Sequence, residues 1–465
     1  MGASAGDAAG TGGGRVLPVR EQARVIREVL QKRLETLLPL AMREAGFDMW
    51  VILCQEDDPD PVFASMMPMD TWCPILQMLV LCDRGAAGGV ERLSIAMTHT
   101  AGLFEQPWQG RHYEEQWPLL AKIIAERDPR RIGINIGSVQ WAAGGLTHNL
   151  YGQLVQALPG KYVERLASAE PMATRWLATL TDEEIGLYEH VMAVARGIMA
   201  HCYSRKAIVP GETTAEDLEW RYWQRAADLG LPVSFKPFFN RVRRDTLKAE
   251  FGADDRAIRP GDLVHSDCGV RYLRLTSDHQ HWAYVLRPGE TEAPAGLRRL
   301  LAQANRLQDL FRAEFREGLT GNELLANILG RARDAQVPDP AVYSHSLGLL
   351  LHEPGPLIGL PWEQSAAPGG ATWSSGPTRP SPWSCRWPTP CPSGTARRCG
   401  SRSRRTSCSP ARGAGSSASA RQTSTWCDAA RRCAASGRAR LRPPPLLRRP
   451  PRTRRPRGRR RSRRA

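Results

Sequence analysis

The sequence has little of three features: long apolar stretches, an apolar segment near its first residue, and closely spaced cysteines. No apolar stretch approaches the ~18 residues that a transmembrane helix needs, and residues 1–15 have no apolar core of a signal peptide. No Cys-x-x-Cys pair occurs among the 11 cysteines, which is typical of reduced thiols in the cytosol. We therefore expect a cytoplasmic protein that makes no contact with a membrane.

The last part of the chain lacks most of the side chains from which folded cores are built. Residues 366–465 contain no Val, Ile, Phe, Tyr, Met, Asn, Glu, His or Lys, and Asp428 is their single acid. Such a segment cannot bury enough apolar surface to offset chain entropy, so we expect it to be disordered. Its 25 arginines give it a net charge of +24, which leaves −7 for residues 1–365 out of the total of +17. The positive charge therefore belongs to the tail and not to the part that can fold.

Three explanations are open for this basic tail. It could be an arm that binds nucleic-acid phosphates, a solvated low-complexity tail, or an out-of-frame translation of a GC-rich gene. In the neighbouring reading frame, the codons permit Met-Glu-Leu around Trp383 and Leu-Glu-Glu-Asp-Val-Leu-Phe-Thr beyond Arg402, which resemble sheet strands with acidic groups. We favour a frame error that begins between Gln364 and Thr372, and we disfavour nucleic-acid binding.

Residues 18–170 alternate predicted strands with predicted helices, after a disordered N-terminus at 1–17. A helix is expected over about Arg20–Glu44, because apolar residues recur near helical spacing, and Gly46 is its expected stop. This alternation predicts an α/β domain. The other expected strands and helices are, in chain order, Met49–Leu53, Ile75–Leu81, Leu93–Met97, Glu114–Glu126 (helix), Ile132–Ile136, Gly145–Leu158 (helix) and Tyr162–Leu166.

Residues 175–365 carry repeated signals for helix starts. Capping patterns of the Thr-x-x-Glu type open expected helices at Thr181, Thr213 and Thr320. Together with an expected helix over Ala293–Arg316 and two expected strands, these elements predict an α+β domain. The strands are Leu263–Asp267 and Trp282–Leu286.

Two aspartates and two histidines in this second domain carry the chemistry. Asp267 and Asp278 are 11 residues apart, a spacing that a hairpin can close, and two near carboxylates repel unless a cation or proton lies between them. Oxygen donors suit hard or borderline ions such as Mn²⁺. His345 and His352 could supply a metal ligand and a hydrogen-bond donor to an oxyanion. Each pair alone is also compatible with solvated aspartates or ordinary polar histidines.

In this order, the two stretches resemble the pita-bread metallopeptidase family, which includes methionine aminopeptidases, aminopeptidase P, prolidase and the non-peptidase creatinase. The resemblance covers about residues 20–365. It implies a creatinase-like N-terminal α/β domain followed by an incomplete pita-bread catalytic domain. It further implies two divalent metal ions, with Mn²⁺ favoured over Co²⁺ or Zn²⁺, held by Asp267, Asp278 and His345. His352 would stabilise the tetrahedral intermediate.

The chain departs from this family in its last ligands. The family completes its site with two later Glu, but after Glu363 the only acid is Asp428. The shifted frame permits both Glu. Residues 231–256 contain no His, and Ser344 and Ser346 flank the metal histidine where Gly is usual. We expect the literal chain to bind metal weakly or not at all and to be inactive.

Three further histidines are expected to stand outside the metal site. His265 alternates with its neighbours along the strand, and we expect it to face away from the metals. His279 and His281 are expected at a rim position.

The leading hypothesis is a dinuclear-metal aminopeptidase or dipeptidase of the Xaa-Pro type, which acts on small peptides and forms a homodimer. One alternative is a creatinase-like C–N hydrolase that works without metal. Another, of a different class, is a nucleic-acid-binding protein that uses its arginine-rich tail.

The frame-error hypothesis makes a direct prediction about the gene. Between the codons of Gln364 and Thr372 we expect an inserted or deleted base, whose correction restores the two missing Glu downstream. Sequencing this stretch in independent isolates is the measurement. An intact frame in every isolate would contradict the hypothesis.

Overall fold

A computed structural model describes residues 14–372 of the chain, except 109, 111, 317, 353 and 354. All of them belong to one unit of the chain, Met1–Ala420. Residues 1–13 of the expected disordered N-terminus, and the tail from 373 onward, lie outside the described residues. The domain limits 18–170 and 175–365 stay predictions.

Helices and strands alternate along the first half of the chain, and helices dominate the second. The helices are α1 Val19–Ala45, α2 Pro61–Met66, α3 Gly85–Gly88, α4 Gln116–Arg127, α5 His148–Ala157, α6 Gly160–Val163, α7 Glu170–Ala178, α8 Asp182–Cys202, α9 Ala215–Asp228, α10 Asp245–Phe251, α11 Ala295–Ala313 and α12 Gly321–Asp334. The strands are β1 Met49–Gln55, β2 Leu76–Asp83, β3 Val90–Ser94, β4 Ile132–Ile134, β5 Leu166–Ser168, β6 Phe238–Val242, β7 Leu263–Cys268, β8 Arg271–Tyr272, β9 Leu275–Thr276 and β10 His279–Tyr284.

The first sheet has the strand order β3-β2-β1-β4-β5, antiparallel on the β2 side of β1 and parallel on the β4 side. Its central strand β1 is apolar along nearly its whole length because both of its faces are covered. Trp50 and Ile52 enter one core with α1 and α7, whereas Val51 and Leu53 enter another with α4 and α5. The result is the α/β arrangement expected from the sequence.

The expected elements of this half hold with local corrections. Helix α1 ends at Gly46, which has a φ of 69° and so uses the left-handed region open to glycine. The expected strand at Leu93–Met97 is wrong in its position, since pairing with β2 covers Val90–Ser94. Tyr162 begins no strand: Pro159 starts the short helix α6, and the Tyr162 ring is buried in the core.

A buried ion pair joins the first helix to the start of α8. Arg33 donates to Glu184 Oε2 at 2.7 Å and to the Thr179 carbonyl at 2.8 Å, and both side chains of the ion pair are 2–3% exposed. The same Glu184 oxygen accepts from the Thr181 backbone N–H at 2.8 Å, which completes the predicted capping box. Glu184 therefore both caps α8 and neutralises α1's buried guanidinium.

Other hydrogen bonds tie distant parts of the chain together. The Leu17 backbone N–H donates to the Tyr272 hydroxyl at 2.9 Å, and Arg274 donates to the Ser65 carbonyl at 3.1 Å. Residues 14–17, which were expected to be disordered, are therefore partly anchored on the β8–β9 hairpin.

The second sheet is antiparallel in the order β10-β7-β6. Strand β6 has no counterpart in the sequence prediction. The turn into β7 is held by Asp262, whose buried carboxylate accepts from Arg243 and from the Arg259 backbone N–H. The cap of α9 is one residue later than expected, at Thr214, because Thr213 is buried and bonds the Ala207 carbonyl instead.

Hydrogen-bonded structure continues beyond the expected start of the tail at 366, as far as Thr372. Asn322 on α12 donates to the Ala367 carbonyl and accepts from the Ala367 N–H, both at 2.9 Å. Residues Gly369–Thr372 form a 3₁₀ turn in which Ala371 is buried. Among the described residues, no helix combines the length and apolar character needed to cross a bilayer.

Glu184→Gln tests the buried ion pair. Glutamine keeps an oxygen for the cap but leaves Arg33 buried without a counter-charge, so we expect the free energy of unfolding to fall by about 3–5 kcal/mol. Urea denaturation followed by circular dichroism measures this. The exposed neighbour Glu183 provides the control, and Glu183→Gln should change stability by less than about 0.5 kcal/mol. Equal effects of the two substitutions would contradict the assigned role of the pair.

Candidate active site

The second sheet brings together the two aspartates that the sequence singled out. Asp267 lies on β7, directly opposite Gln280 on β10, and Asp278 is the residue that enters β10. Between them the chain makes the small β8–β9 hairpin. The 11-residue separation therefore contains a hairpin that returns the chain to the same sheet, as the sequence predicted.

The Asp267 carboxyl is under electrostatic strain. Burial and the neighbouring Asp278 carboxylate both raise the pKa of Asp267. Its Oδ2 accepts a hydrogen bond from Gln280 at 3.1 Å, while its buried Oδ1 has no hydrogen-bond partner among the described residues. A proton or a cation is needed to balance such a pair near neutral pH.

His345 lies against this pair. Its Nε2 is 3.3 Å from Asp278 Oδ2, and its Nδ1 donates to the Ser346 carbonyl at 3.0 Å. Burial opposes the charged form, but the hydrogen bonds to Asp278 and Ser346 outweigh it and raise the pKa of His345. The backbone bond at Nδ1 fixes the ring and directs Nε2 toward the carboxylates.

The segment that carries the histidines is anchored to the strand that leads to Asp278. The Thr276 N–H donates to the Gly348 carbonyl at 2.7 Å, and the Thr276 carbonyl accepts from the Tyr188 hydroxyl at 3.0 Å. Ser344 and Ile358 exchange two backbone hydrogen bonds on the other side. These bonds place His345 without help from its own side chain.

His352 stands at the open end of the site. Its ring is 4.5 Å from the His345 ring, in a T-shaped arrangement, and its side chain is exposed. Burial of part of the ring and the nearby His345 lower the pKa of His352. A neutral imidazole in this position can donate a hydrogen bond to a ligand that enters from solvent.

The sequence interpretation missed two neighbours of the site. Tyr343 lies two residues before His345, with ring centroids 5.7 Å apart, and burial and both carboxylates raise the pKa of its hydroxyl. His265 was expected to face away from the metals, and this is wrong. Residues two apart on a strand share a face, and His265 reaches Gln280, the partner of Asp267. The period of two along β7 was the signal that could have found His265.

His279 also departs from expectation. It was expected at a rim, but its side chain is 2% exposed, and neither ring nitrogen has a hydrogen-bond partner among the described residues. Its side chain lies on the face of β10 opposite to that of Gln280. Its ring packs against the His281 ring, with the ring centroids 5.0 Å apart. Neither position belongs to the carboxylate face of the sheet.

The donors suit a divalent cation, but the set is incomplete. Asp267, Asp278 and His345 offer carboxylate oxygens and one imidazole, and the bare Oδ1 of Asp267 is the kind of buried atom that a cation would satisfy. In the part of the chain that the structure describes, however, no three His, Cys, Asp or Glu side chains surround one point as metal ligands. The residues could contribute to a metal site without forming a complete one.

Residues 187–376 match the family model described as metallopeptidase family M24, a span that contains both aspartates and both histidines. A search of curated proteins finds no match to the sequence. Among solved structures, the X-Pro aminopeptidase from Thermotoga maritima MSB8 is similar with a TM-score of 0.50 at 15% identity, over 71% of this chain and 88% of that chain.

Two further solved structures are similar at lower scores. One is the N-terminal domain of the FACT complex subunit SPT16 from Cicer arietinum, with a TM-score of 0.46 at 11% identity, over 72% of this chain and 84% of that chain. The other is an Xaa-Pro dipeptidase from Bacillus anthracis, with a TM-score of 0.45 at 16% identity, over 77% of this chain and 86% of that chain. The family match and the shared fold confirm the expected pita-bread fold class.

His279→Leu tests the cost of the buried imidazole. Replacing two unsatisfied nitrogens with a similar apolar volume should raise the free energy of unfolding by about 1 kcal/mol. Thermal and urea denaturation at neutral pH measure it. His99→Leu is the control, because the His99 side chain is 63% exposed. A loss of stability in His279→Leu would contradict the prediction and point to an ordered water on the ring.

Proposed function

Because residues 187–376 match the model of metallopeptidase family M24, we propose that this chain derives from a cytoplasmic aminopeptidase or dipeptidase that cleaves small peptides beside proline. The observation that carries the proposal is the convergence of Asp267, Asp278, His345 and His352 on one face of the second sheet. The X-Pro aminopeptidase from Thermotoga maritima, whose structure is similar with a TM-score of 0.50, has a name that agrees with this substrate class. We further propose a homodimer.

The residues that would hold divalent metal are Asp267, Asp278 and His345. Two bound ions, with Mn²⁺ favoured over Co²⁺ or Zn²⁺ for this oxygen-rich set, would polarise the scissile carbonyl and supply an activated water. A cation would also relieve the repulsion that raises the pKa of Asp267.

The protein's own groups have separate tasks in this scheme. The Ser346 carbonyl fixes the His345 ring with Nε2 directed toward Asp278. In this orientation Nε2 would be available to bind a cation that Asp278 also binds. The exposed His352 imidazole is free to approach a substrate, and as a neutral donor it would hydrogen-bond the oxyanion that develops on the carbonyl.

We propose that the chain as written is impaired. The described residues provide three ligands where the family resemblance calls for five, and they do not form a complete cluster. The two missing Glu are those that the shifted frame permits. The literal chain would then bind Mn²⁺ weakly, and the frame-corrected chain tightly.

The test compares the chain as written with the frame-corrected chain. In the corrected chain we expect tight Mn²⁺ binding and metal-dependent hydrolysis of an Xaa-Pro dipeptide. In the literal chain we expect little Mn²⁺ binding and little hydrolysis. In the corrected chain, Asp278→Asn should abolish both while it preserves the circular dichroism spectrum. The exposed Asp245→Asn provides the matched control.

The outcomes separate the hypotheses. A corrected chain without metal-dependent turnover would overturn the proposal, and turnover of creatine-like substrates without metal would favour the C–N hydrolase instead. Tight binding of two ions by the literal chain would contradict the proposed impairment.

A further inference from the structure

A side-chain relay crosses the second sheet and ends on Asp267. His265 Nε2 is 2.9 Å from Gln280 Oε1, and Gln280 Nε2 donates to Asp267 Oδ2 at 3.1 Å. The strand register explains the relay: Gln280 is opposite Asp267 on the neighbouring strand, and His265 lies two residues before Asp267 on the same face. Three groups distant in the sequence thus form one chain of hydrogen bonds.

The direction of this relay is fixed by its chemistry. An amide oxygen only accepts, so His265 Nε2 carries the hydrogen that it shares with Gln280. A carboxylate also only accepts, so the amide nitrogen of Gln280 must face Asp267. Turning the amide around would set its oxygen against the carboxylate, so the ionised Asp267 fixes the amide, and the amide oxygen in turn selects the tautomer of His265 with its hydrogen on Nε2.

The His265 ring is held in place by aromatic neighbours. It stacks against Trp282 at 4.5 Å between centroids, with an interplanar angle of 30°, and it meets Phe238 edge-on at 6.3 Å. Trp282 is directly opposite His265 in the β7–β10 ladder. His265, the first residue of the relay, is therefore packed against two aromatic rings.

The relay makes the two oxygens of Asp267 unequal. Oδ2 is occupied by Gln280, whereas the buried Oδ1 has no hydrogen-bond partner among the described residues. The carboxylate is thereby held through Oδ2 and keeps Oδ1 available, while Asp278 and His345 lie near the same carboxyl group.

We propose that Gln280, oriented by His265, is a positioning residue that holds Oδ2 of Asp267 and presents Oδ1 to a divalent cation. The inference rests on the proposed metal use of this site, and it adds a pair of residues outside the ligand set. Groups that orient metal ligands by hydrogen bonds commonly change metal affinity by 10–100-fold when they are removed.

The experiment measures Mn²⁺ affinity in the full chain as written, by electron paramagnetic resonance of the free ion at millimolar concentrations. Gln280→Met keeps the length of the side chain but removes both hydrogen bonds, and it should raise the dissociation constant about tenfold. His265→Phe keeps the ring contacts with Trp282 and should raise it less. The double variant should match Gln280→Met alone, because His265 acts through Gln280.

A matched control and a second readout separate positioning from general damage. Gln224→Met removes a glutamine that also donates to an aspartate, Asp228, on the exposed face of α9, and it should leave Mn²⁺ affinity unchanged. Circular dichroism and melting temperature verify that each variant is folded. If Gln280→Met does not fold, His265→Phe tests the inference instead.

Each outcome has a distinct meaning. Unchanged affinity in folded Gln280→Met, in a chain that binds Mn²⁺, would overturn this inference and leave the proposed function standing. Additive effects in the double variant would overturn the relay. If the chain as written binds no Mn²⁺ at all, the same variants are compared in the frame-corrected chain. Absence of Mn²⁺ binding there would contradict the proposed metal use, and this inference with it.

Discussion

The register between β7 and β10 is the constraint on which the candidate site depends. It sets Gln280 opposite Asp267 and Trp282 opposite His265, so that a row of polar groups faces one side of the sheet. A slip of one residue would move every one of these side chains to the other face. The buried Arg243–Asp262 pair holds the turn from which β7 starts, and thereby protects this register.

Much of the fold could be predicted because its signals are local. Thr181 and Glu184, or Gly46 with its positive φ, act within one turn of helix and need no knowledge of distant residues. The pairing of Asp267 with Asp278 also follows from a short separation. Strand β6 could not be predicted in this way, since its sequence mixes Phe, Asn and Arg and it depends on pairing with β7, which lies distant in the sequence.

The site was predictable in its ligand residues but not in their surroundings. His265 was misplaced because the period of two was not applied across to Asp267, and His279 because its burial depends on how β10 packs in the tertiary structure. The charge analysis gave a different kind of result. It assigned the excess of arginine to residues 366–465, and the acidic remainder contains the carboxylates that call for a cation.

Thr276 has a consequence beyond its own position. Its backbone binds the Gly348 carbonyl on one side and the Tyr188 hydroxyl on the other, and so it connects the histidine segment to helix α8. One wall of the site is therefore built as a fixed frame. Adaptation to peptides of different length would have to come from the solvent-facing side of the site, where the exposed His352 lies. Selectivity would then depend on residues at the entrance of the site and not on those that the Thr276 backbone anchors.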